Sequence, residues 1–227
     1  MSIIPNGQQI LLLVSNMNLE WIFFDVGNTL YDEKISEYER IVSLIEKSKC
    51  DISPDKFIKQ MECGAASYAV SPFTYAREHL GITADHPYSS EKEVLFDGVY
   101  DVLHSLSGKY KLGILANQPS STLERLKRDG IYDFFDICLL SETENMFKPD
   151  IAFFEYAIKK SGCSPSKIVM VGDRLDNDVM PAKKSGMKTV WIRQGLHSVQ
   201  KPLSDEYAPD WEVTSVRQLF FLVNSHF

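Results

Sequence analysis

The chain has 227 residues, of which 44% are hydrophobic and 24% charged, and its formal net charge is −7. This length accommodates one α/β domain with an inserted module, and the composition is that of a globular protein, which excludes disorder as the default. The negative charge argues against a general nucleic-acid binder, which needs a basic face, so we expect a small-molecule partner.

The N-terminal stretch contains one apolar run, Ile10–Val14. It is too short to span a bilayer and lacks the basic flank of a signal peptide, which favours an extra strand or packing segment ahead of Met17, a possible alternative start. The four cysteines are far apart and form no CxxC pair, so neither a zinc site nor a disulfide framework is expected. These features predict a cytoplasmic protein with no membrane partner.

The first strong strand is the apolar run Trp21–Phe24, which predicts a strand buried on both faces of a parallel sheet and ending at Asp25. From about Asp32 to Tyr88 the apolar residues take helical spacing, with prolines as breaks. We therefore expect a helical cap domain over residues 32–88 and a core domain formed by residues 1–31 and 89–227.

Strand and helix patterns alternate after this insertion. In chain order they predict a helix at Val94–Leu106, a strand at Leu112–Leu115, a helix after Pro119, a strand at Ile137–Leu140, a helix at Ile151–Lys160, a strand at Ile168–Val171, a helix at Val179–Ser185, a strand at Thr189–Ile192, and a strand end with a closing helix at Val213–Val223. Such repeats indicate an α/β fold with a Rossmann-like parallel sheet, helices on both faces, and ligands beyond the carboxyl ends of the strands.

Acidic and basic residues follow the predicted strands at that edge. They are Asp25, Asn117, Lys148 in a later loop, and Asp173 with Asp176 and Asp178 behind it. Each one alone is also explained by a turn or a helix cap. Together, carboxylates with open water positions suit Mg²⁺, and a lysine beside them supplies a charge for an anion. Phosphoryl transfer needs this combination, because its catalysis is mostly positioning and charge neutralisation.

In their order, these segments resemble the four motifs of the haloacid dehalogenase-like (HAD) superfamily. The segments are FFDVGNTL at Phe23–Leu30, ILAN at Ile114–Asn117, FKPD at Phe147–Asp150 and VGDRLDND at Val171–Asp178. The helical insertion after the first motif is similar to the family's C1-type cap, which closes over the site and supplies specificity.

The resemblance implies a role for each matching residue. Asp25 would be the nucleophile that forms an aspartyl-phosphate. Lys148 would neutralise the nucleophile and the phosphoryl oxygens, and Asn117 would donate to the phosphate. Asp178 would order metal-bound water or hold Lys148. Mg²⁺ would be held by Asp25, the main-chain carbonyl of Gly27 and Asp173, with Asp178 as part of the metal site.

The chain departs from the family pattern at two positions. Phosphatases of the family carry a second Asp, the acid and base, where this chain has Gly27, and a hydroxyl residue where it has Ala116. General acid–base help is worth about 10² to 10⁴ in rate, so we expect impaired turnover of alkyl phosphates. Possible replacements are Asp32 and Glu33 at the cap junction, or His79 and His86 in the cap.

Three functions remain open from the sequence. The first is a Mg²⁺-dependent hydrolase, specifically a phosphatase, that acts on a small phosphorylated metabolite with a good leaving group. The second is another HAD chemistry, such as dehalogenation, in branches that also lack the second Asp. The third is a phosphate-binding or regulatory protein that has lost turnover, which the changes at Gly27 and Ala116 would explain.

Overall fold

The computed structural model describes residues 18–220 of the chain. The strands are β1 (Trp21–Phe24), β2 (Tyr31–Asp32), β3 (Val94–Leu95), β4 (Lys111–Ala116), β5 (Ile137–Leu140), β6 (Ile168–Gly172), β7 (Lys188–Ile192) and β8 (Trp211–Val213). The α-helices are α1 (Lys34–Ser48), α2 (Pro54–Ala66), α3 (Pro72–His79), α4 (Val99–Ser107), α5 (Thr122–Arg128), α6 (Ser141–Glu144), α7 (Ile151–Ser161) and α8 (Met180–Lys184).

Six strands form one sheet in the order β5-β4-β1-β6-β7-β8, and all neighbouring pairs are parallel. The predicted α/β fold with a Rossmann-like parallel sheet is therefore confirmed. The predicted packing segment at Ile10–Val14 lies outside the described residues, as does the end of the predicted closing helix. Up to residue 220 that helix is represented by a 3₁₀ turn, Val216–Leu219.

The central strand β1 is buried on both faces, as its uninterrupted apolar run predicts. Its side chains alternate between two cores because successive residues of a strand point to opposite faces. Ile22 and Phe24 join the larger core, whereas Trp21 and Phe23 join the smaller one. This double packing fixes the position of the residue that follows β1.

The inserted segment is helical, as predicted, and packs around a core of its own. Ile41 and Leu44 of α1, Phe57 and Met61 of α2, and Phe73 of α3 are buried together. Ser53 and Ser71 accept hydrogen bonds from main-chain N–H groups of α2 and α3, and a proline follows each of them, which sets where the two helices begin.

A short antiparallel ladder joins the two ends of this insertion, pairing Tyr31 with Leu95 and Asp32 with Val94. The predicted helix at Val94–Leu106 is therefore wrong in its first turn, because the helix begins at Val99. Gly98 has φ +84°, a conformation that ends the strand segment and cannot continue a helix. A buried ion pair between Arg125 and Glu93 lies beside this ladder.

The predicted helix at Val179–Ser185 also differs in its first part. Leu175–Val179 forms one π-helical turn, and α8 follows it directly. Such turns are frequent at functional sites. No helix within residues 18–220 is long and apolar enough to cross a membrane.

Candidate active site

The strands β4, β1 and β6 lie side by side and bring their last residues to one edge of the sheet. Phe24 is in register with Ile114 on one side and Val171 on the other. The Asp25 N–H donates to the Val171 carbonyl over 2.9 Å, so Asp25 is still tied to the sheet where the strand ends. Asp25 and Asp173, predicted from separate strands, are thereby neighbours.

Lys148 reaches the same edge from the loop between α6 and α7. Its Nζ donates to Asp25 Oδ1 over 2.7 Å and to Asp178 Oδ1 over 2.5 Å. The side chain of Lys148 is fully buried. A buried lysine ammonium has to be paired, and here two carboxylates provide the pairing.

Asn117 fixes the main chain that carries this lysine. Asn117 Nδ2 donates to the Lys148 carbonyl, and the Lys148 N–H donates to Asn117 Oδ1, both over 2.8 Å. The Asn117 amide therefore has one hydrogen left that could donate to a ligand. Ala116, the preceding residue, is buried and offers no hydroxyl.

Asp178 enters the cluster through the π-helical turn. Its Oδ2 accepts from the Arg174 N–H over 3.0 Å while its Oδ1 accepts from Lys148. A Cβ on Gly172 would lie 2.3 Å from Asp178 Cγ, so only glycine leaves room for this carboxyl group. Our sequence reasoning missed Gly172, although a glycine at the end of a buried strand is a signal of close approach.

Asp173 is held by two residues that the sequence did not single out. The indole N–H of Trp191 donates to the Asp173 carbonyl over 2.7 Å. The Nδ1 atom of His197 lies 3.1 Å from Asp173 Oδ2, and an N–H at Nδ1 donates to the ionised carboxylate. His197 is buried in the 3₁₀ turn Leu196–Val199 after β7, and its Nε2 has no hydrogen-bond partner within residues 18–220.

The three aspartates form one compact group, since one ligand atom from each of Asp25, Asp173 and Asp178 lies within 4.8 Å of the others. Burial raises the pKa of Asp25 and of Asp173, and raises that of Asp178 to about 6 against the opposing charge of Lys148. Burial alone would lower the pKa of Lys148, but Asp178 and Asp25 outweigh it and raise that pKa. With three carboxylates to one ammonium, the group has excess negative charge and oxygen donors, which suit a hard divalent cation.

The predicted metal site also included the carbonyl of Gly27. Gly27 lies in the turn after Asp25, where it forms a β-bridge with Tyr31. It is not among the glycines with positive φ, so its backbone conformation is open to other residues. Asp176, the remaining acidic residue of this motif, forms an ion pair with Arg174 at 2.7 Å and stands apart from the group of three.

A cleft of about 980 Å³ opens between the sheet edge and the helical insertion. Arg174 and His197 of the core and Glu33 at the start of the insertion lie on its wall, and the insertion also contributes apolar side chains, among them Ile41, Ile58, Met61 and Phe73. Asp25 and Lys148 are not part of the wall, but His197 connects it to Asp173. Burial, with a smaller effect of nearby carboxylates, raises the pKa of Glu33 well above its usual range.

Comparison with known proteins finds relatives of this chain among hydrolases. A family model described as haloacid dehalogenase-like hydrolase matches residues 22–192. Over 92 residues the chain is 37% identical to the glyceraldehyde 3-phosphate phosphatase of Methanocaldococcus jannaschii, a match that covers 40% of this chain and 39% of that protein. The chain thus matches about two-fifths of the length of this curated relative.

Two solved structures show the same fold. The HAD hydrolase YfnB of Bacillus subtilis, bound to magnesium, has a TM-score of 0.69 at 22% identity, over 91% of this chain and 99% of that one. A 2-haloacid dehalogenase of Pseudomonas syringae pv. Tomato DC3000 has a TM-score of 0.56 at 20% identity, over 90% and 97%. Since hydrolases of different chemistry share this fold, the chemistry of a given chain has to be inferred from its site residues and not from the fold.

Proposed function

The chain belongs to the haloacid dehalogenase-like hydrolase family, and on this basis we propose that it is a Mg²⁺-dependent phosphatase of small phosphorylated metabolites that acts through a phosphorylated Asp25. The observation that carries the proposal is the buried Lys148 ammonium, bonded to both Asp25 and Asp178 next to Asp173. One cation among three carboxylates is an arrangement that neither a turn nor a helix cap requires.

Asp25 is the best placed of the three carboxylates to act as the nucleophile. Its side chain is 14% exposed, against 4% for Asp173 and 1% for Asp178. Asp178 accepts through both oxygens, from Lys148 and from the Arg174 N–H, whereas Asp25 accepts from Lys148 through Oδ1 and its carboxyl group also accepts from the Val26 N–H. The greater exposure of Asp25 therefore makes it the carboxylate accessible to phosphorus, and a carboxylate nucleophile divides one difficult step into two.

The same carboxylates fit a divalent metal. Asp25, Asp173 and Asp178 would hold it, together with the Gly27 carbonyl that the family resemblance implies. When bound, Mg²⁺ neutralises charge on the phosphoryl oxygens. The magnesium bound to YfnB, which shares the fold, supports this choice of metal.

Lys148 and Asn117 would complete the phosphate site. Lys148 holds the positive charge next to the nucleophile, where it offsets the approach of an anionic phosphate to a carboxylate. Asn117 keeps Lys148 in place through its two hydrogen bonds to the main chain and offers its remaining amide hydrogen to the phosphate.

We further propose that residues 32–88 act as a cap over a core formed by residues 1–31 and 89–227. The short ladder of β2 and β3 lies at both ends of the helical insertion, which is where a hinge would be needed. The apolar wall that the insertion contributes to the cleft would contact the body of the substrate, away from its phosphate.

The chemistry of the site favours phosphoryl transfer over dehalogenation. Displacement of halide from carbon requires no cation, whereas the three carboxylates around one lysine leave excess negative charge that a metal would balance. The phosphatase named among the relatives points the same way.

Activity assays with purified protein test the proposal. A panel of small phosphorylated metabolites and acetyl phosphate should release phosphate with Mg²⁺ and not in excess chelator. Asp25→Asn should abolish release, and mass spectrometry should find a phosphorylated form in the wild type that Asp25→Asn lacks. Asp133→Asn, which changes an exposed aspartate elsewhere on the core, is the matched control and should match the wild type.

Full activity in chelator, or an active Asp25→Asn, would contradict the proposed mechanism. Tight binding of inorganic phosphate with no release from any compound would instead favour a binding protein. Halide release from a 2-haloacid without metal would favour the dehalogenase chemistry.

A further inference from the structure

The space beside Gly27 is filled by the carboxyl group of Glu33. A Cβ built on Gly27 would lie 2.1 Å from Glu33 Oε1 and 2.9 Å from Glu33 Cδ. Since the φ of Gly27 is not positive, space rather than backbone conformation excludes a side chain here. The Glu33 carboxyl group thus lies where a side chain at position 27 would begin, although Glu33 comes eight residues after Asp25 in the chain.

One hydrogen bond from a side chain holds this carboxyl group. Asn28 Nδ2 donates to Glu33 Oε2 over 2.7 Å, and within residues 18–220 no side chain donates to Oε1. Asn28 is itself fixed, because Gln194 Nε2 donates to its carbonyl over 2.9 Å. Glu33 also forms part of the cleft wall.

Cleavage of a phosphate ester requires a group that gives a proton to the leaving oxygen and later takes one from water. Asp173 and Asp178 are bonded to His197 and Lys148 and are needed for the metal. Resting on the proposed phosphatase function, we propose that Glu33 is the general acid and base of the reaction, in place of the side chain that Gly27 lacks.

The proton balance of both steps can be written for this residue. In the first step, a carboxylate oxygen of Asp25 bonds to phosphorus while the bond from phosphorus to the ester oxygen breaks, and protonated Glu33 gives its proton to the leaving alkoxide. In the second step, ionised Glu33 takes a proton from water as the water oxygen bonds to phosphorus. The bond from Asp25 to phosphorus breaks, which releases phosphate and restores both carboxyl groups.

The other candidates for this role have different contacts. Asp32 Oδ1 accepts from the Lys34 N–H, the first of α1, over 2.9 Å. His79 and His86 contact nearby main-chain carbonyls and do not belong to the cleft wall. Among the candidates from the sequence, Glu33 is the one whose carboxyl group occupies the position next to Gly27.

The test compares leaving groups, because a general acid matters most where the leaving oxygen is most basic. Glu33→Gln keeps the shape and can still accept from Asn28. It should slow hydrolysis of an alkyl phosphate such as glycerol phosphate about 10² to 10⁴-fold, while acetyl phosphate still phosphorylates Asp25 at nearly the wild-type rate. The phosphorylated enzyme should then accumulate, since water lacks its base, and mass spectrometry would detect it.

A second variant moves the carboxyl group to the other position. Glu33→Ala combined with Gly27→Asp should recover part of the alkyl phosphate activity that Glu33→Ala loses. Gly27→Asp alone should bring no gain, because Glu33 already occupies the space. Glu39→Gln, an exposed glutamate on α1 outside the cleft wall, is the matched control and should behave as the wild type.

The outcomes separate this proposal from the phosphatase function. Equal slowing of the phosphorylation of Asp25 by alkyl and by acyl phosphates in Glu33→Gln would show a structural role and overturn the acid–base assignment, as would unchanged turnover of the alkyl phosphate. Phosphorylation of Asp25 would in either case still support the phosphatase. Failure of the wild type to become phosphorylated or to release phosphate would overturn both.

Discussion

The sheet edge and the helical insertion are built in different ways, although both border the same cleft. At the sheet edge, polar side chains are buried and held by several hydrogen bonds, as Lys148 is by Asp25, Asp178 and Asn117. The insertion instead presents apolar side chains such as Met61 and Phe73 around a core of its own. The charged site thus depends on pairing within the main sheet, and the insertion on ordinary hydrophobic packing.

This difference indicates where each property of the molecule resides. A charged cluster in a low-dielectric environment is stable only with its full set of partners, so it tolerates little change. An apolar surface tolerates substitutions of similar volume far better. The insertion is therefore the part in which substrate preference can vary without loss of the chemistry.

The largest expected effect concerns Lys148. Lys148→Ala leaves the carboxylates of Asp25 and Asp178 buried without their cation and should lower the free energy of unfolding by about 3–5 kcal/mol. Urea denaturation measures it, with Lys59→Ala, an exposed lysine of the insertion, as the control that should change little. A loss of unfolding free energy below about 1 kcal/mol would mean that water already stabilises the cluster. The charged cluster and the insertion would then not differ in their tolerance of substitution.

A smaller effect concerns metal binding and pH. Burial raises the pKa of Asp178 from 3.8 to about 6. Between pH 3.8 and about 6, Asp178 therefore holds a proton in the folded chain that it has released in the unfolded chain. Without metal, its contribution to the free energy of unfolding falls as the pH rises through this range. Above that range the ionised carboxylate is available to Mg²⁺.

The stabilisation by Mg²⁺ should therefore depend on pH. At 100 times the dissociation constant, Mg²⁺ should add about 2.7 kcal/mol at neutral pH. The same concentration should add clearly less at pH 5, as thermal unfolding at both pH values would show. Asp133→Asn should keep this difference. Equal stabilisation at both pH values would show that protonation of Asp178 does not compete with the metal.

The smallest effect is confined to the insertion. Ala76→Gly in the buried interior of α3 should destabilise that helix by about 1 kcal/mol. Hydrogen exchange should speed up about fivefold in α1, α2 and α3 and stay unchanged in β1, β4 and β6, with unchanged stabilisation by Mg²⁺. Faster exchange in β1 would show that the two regions unfold together.

The sequence alone predicted the parallel sheet and the positions of Asp25 and Asp173. Buried parallel strands have a recognisable apolar run, and their carboxyl ends have to lie at one edge. The helical spacing of Ile41, Leu44 and Phe57 likewise predicted the core of the insertion. These features are local, because a repeating pattern records which face of an element is buried.

The tertiary structure alone decided which side chains meet across loops. It brought the Asn117 amide to the main chain of Lys148, and His197 to Asp173. It also placed the Glu33 carboxyl group beside Gly27, which the sequence offered only as one of four candidates. Such contacts join residues on different elements, and their distances depend on how those elements pack, which no periodic pattern within one element encodes.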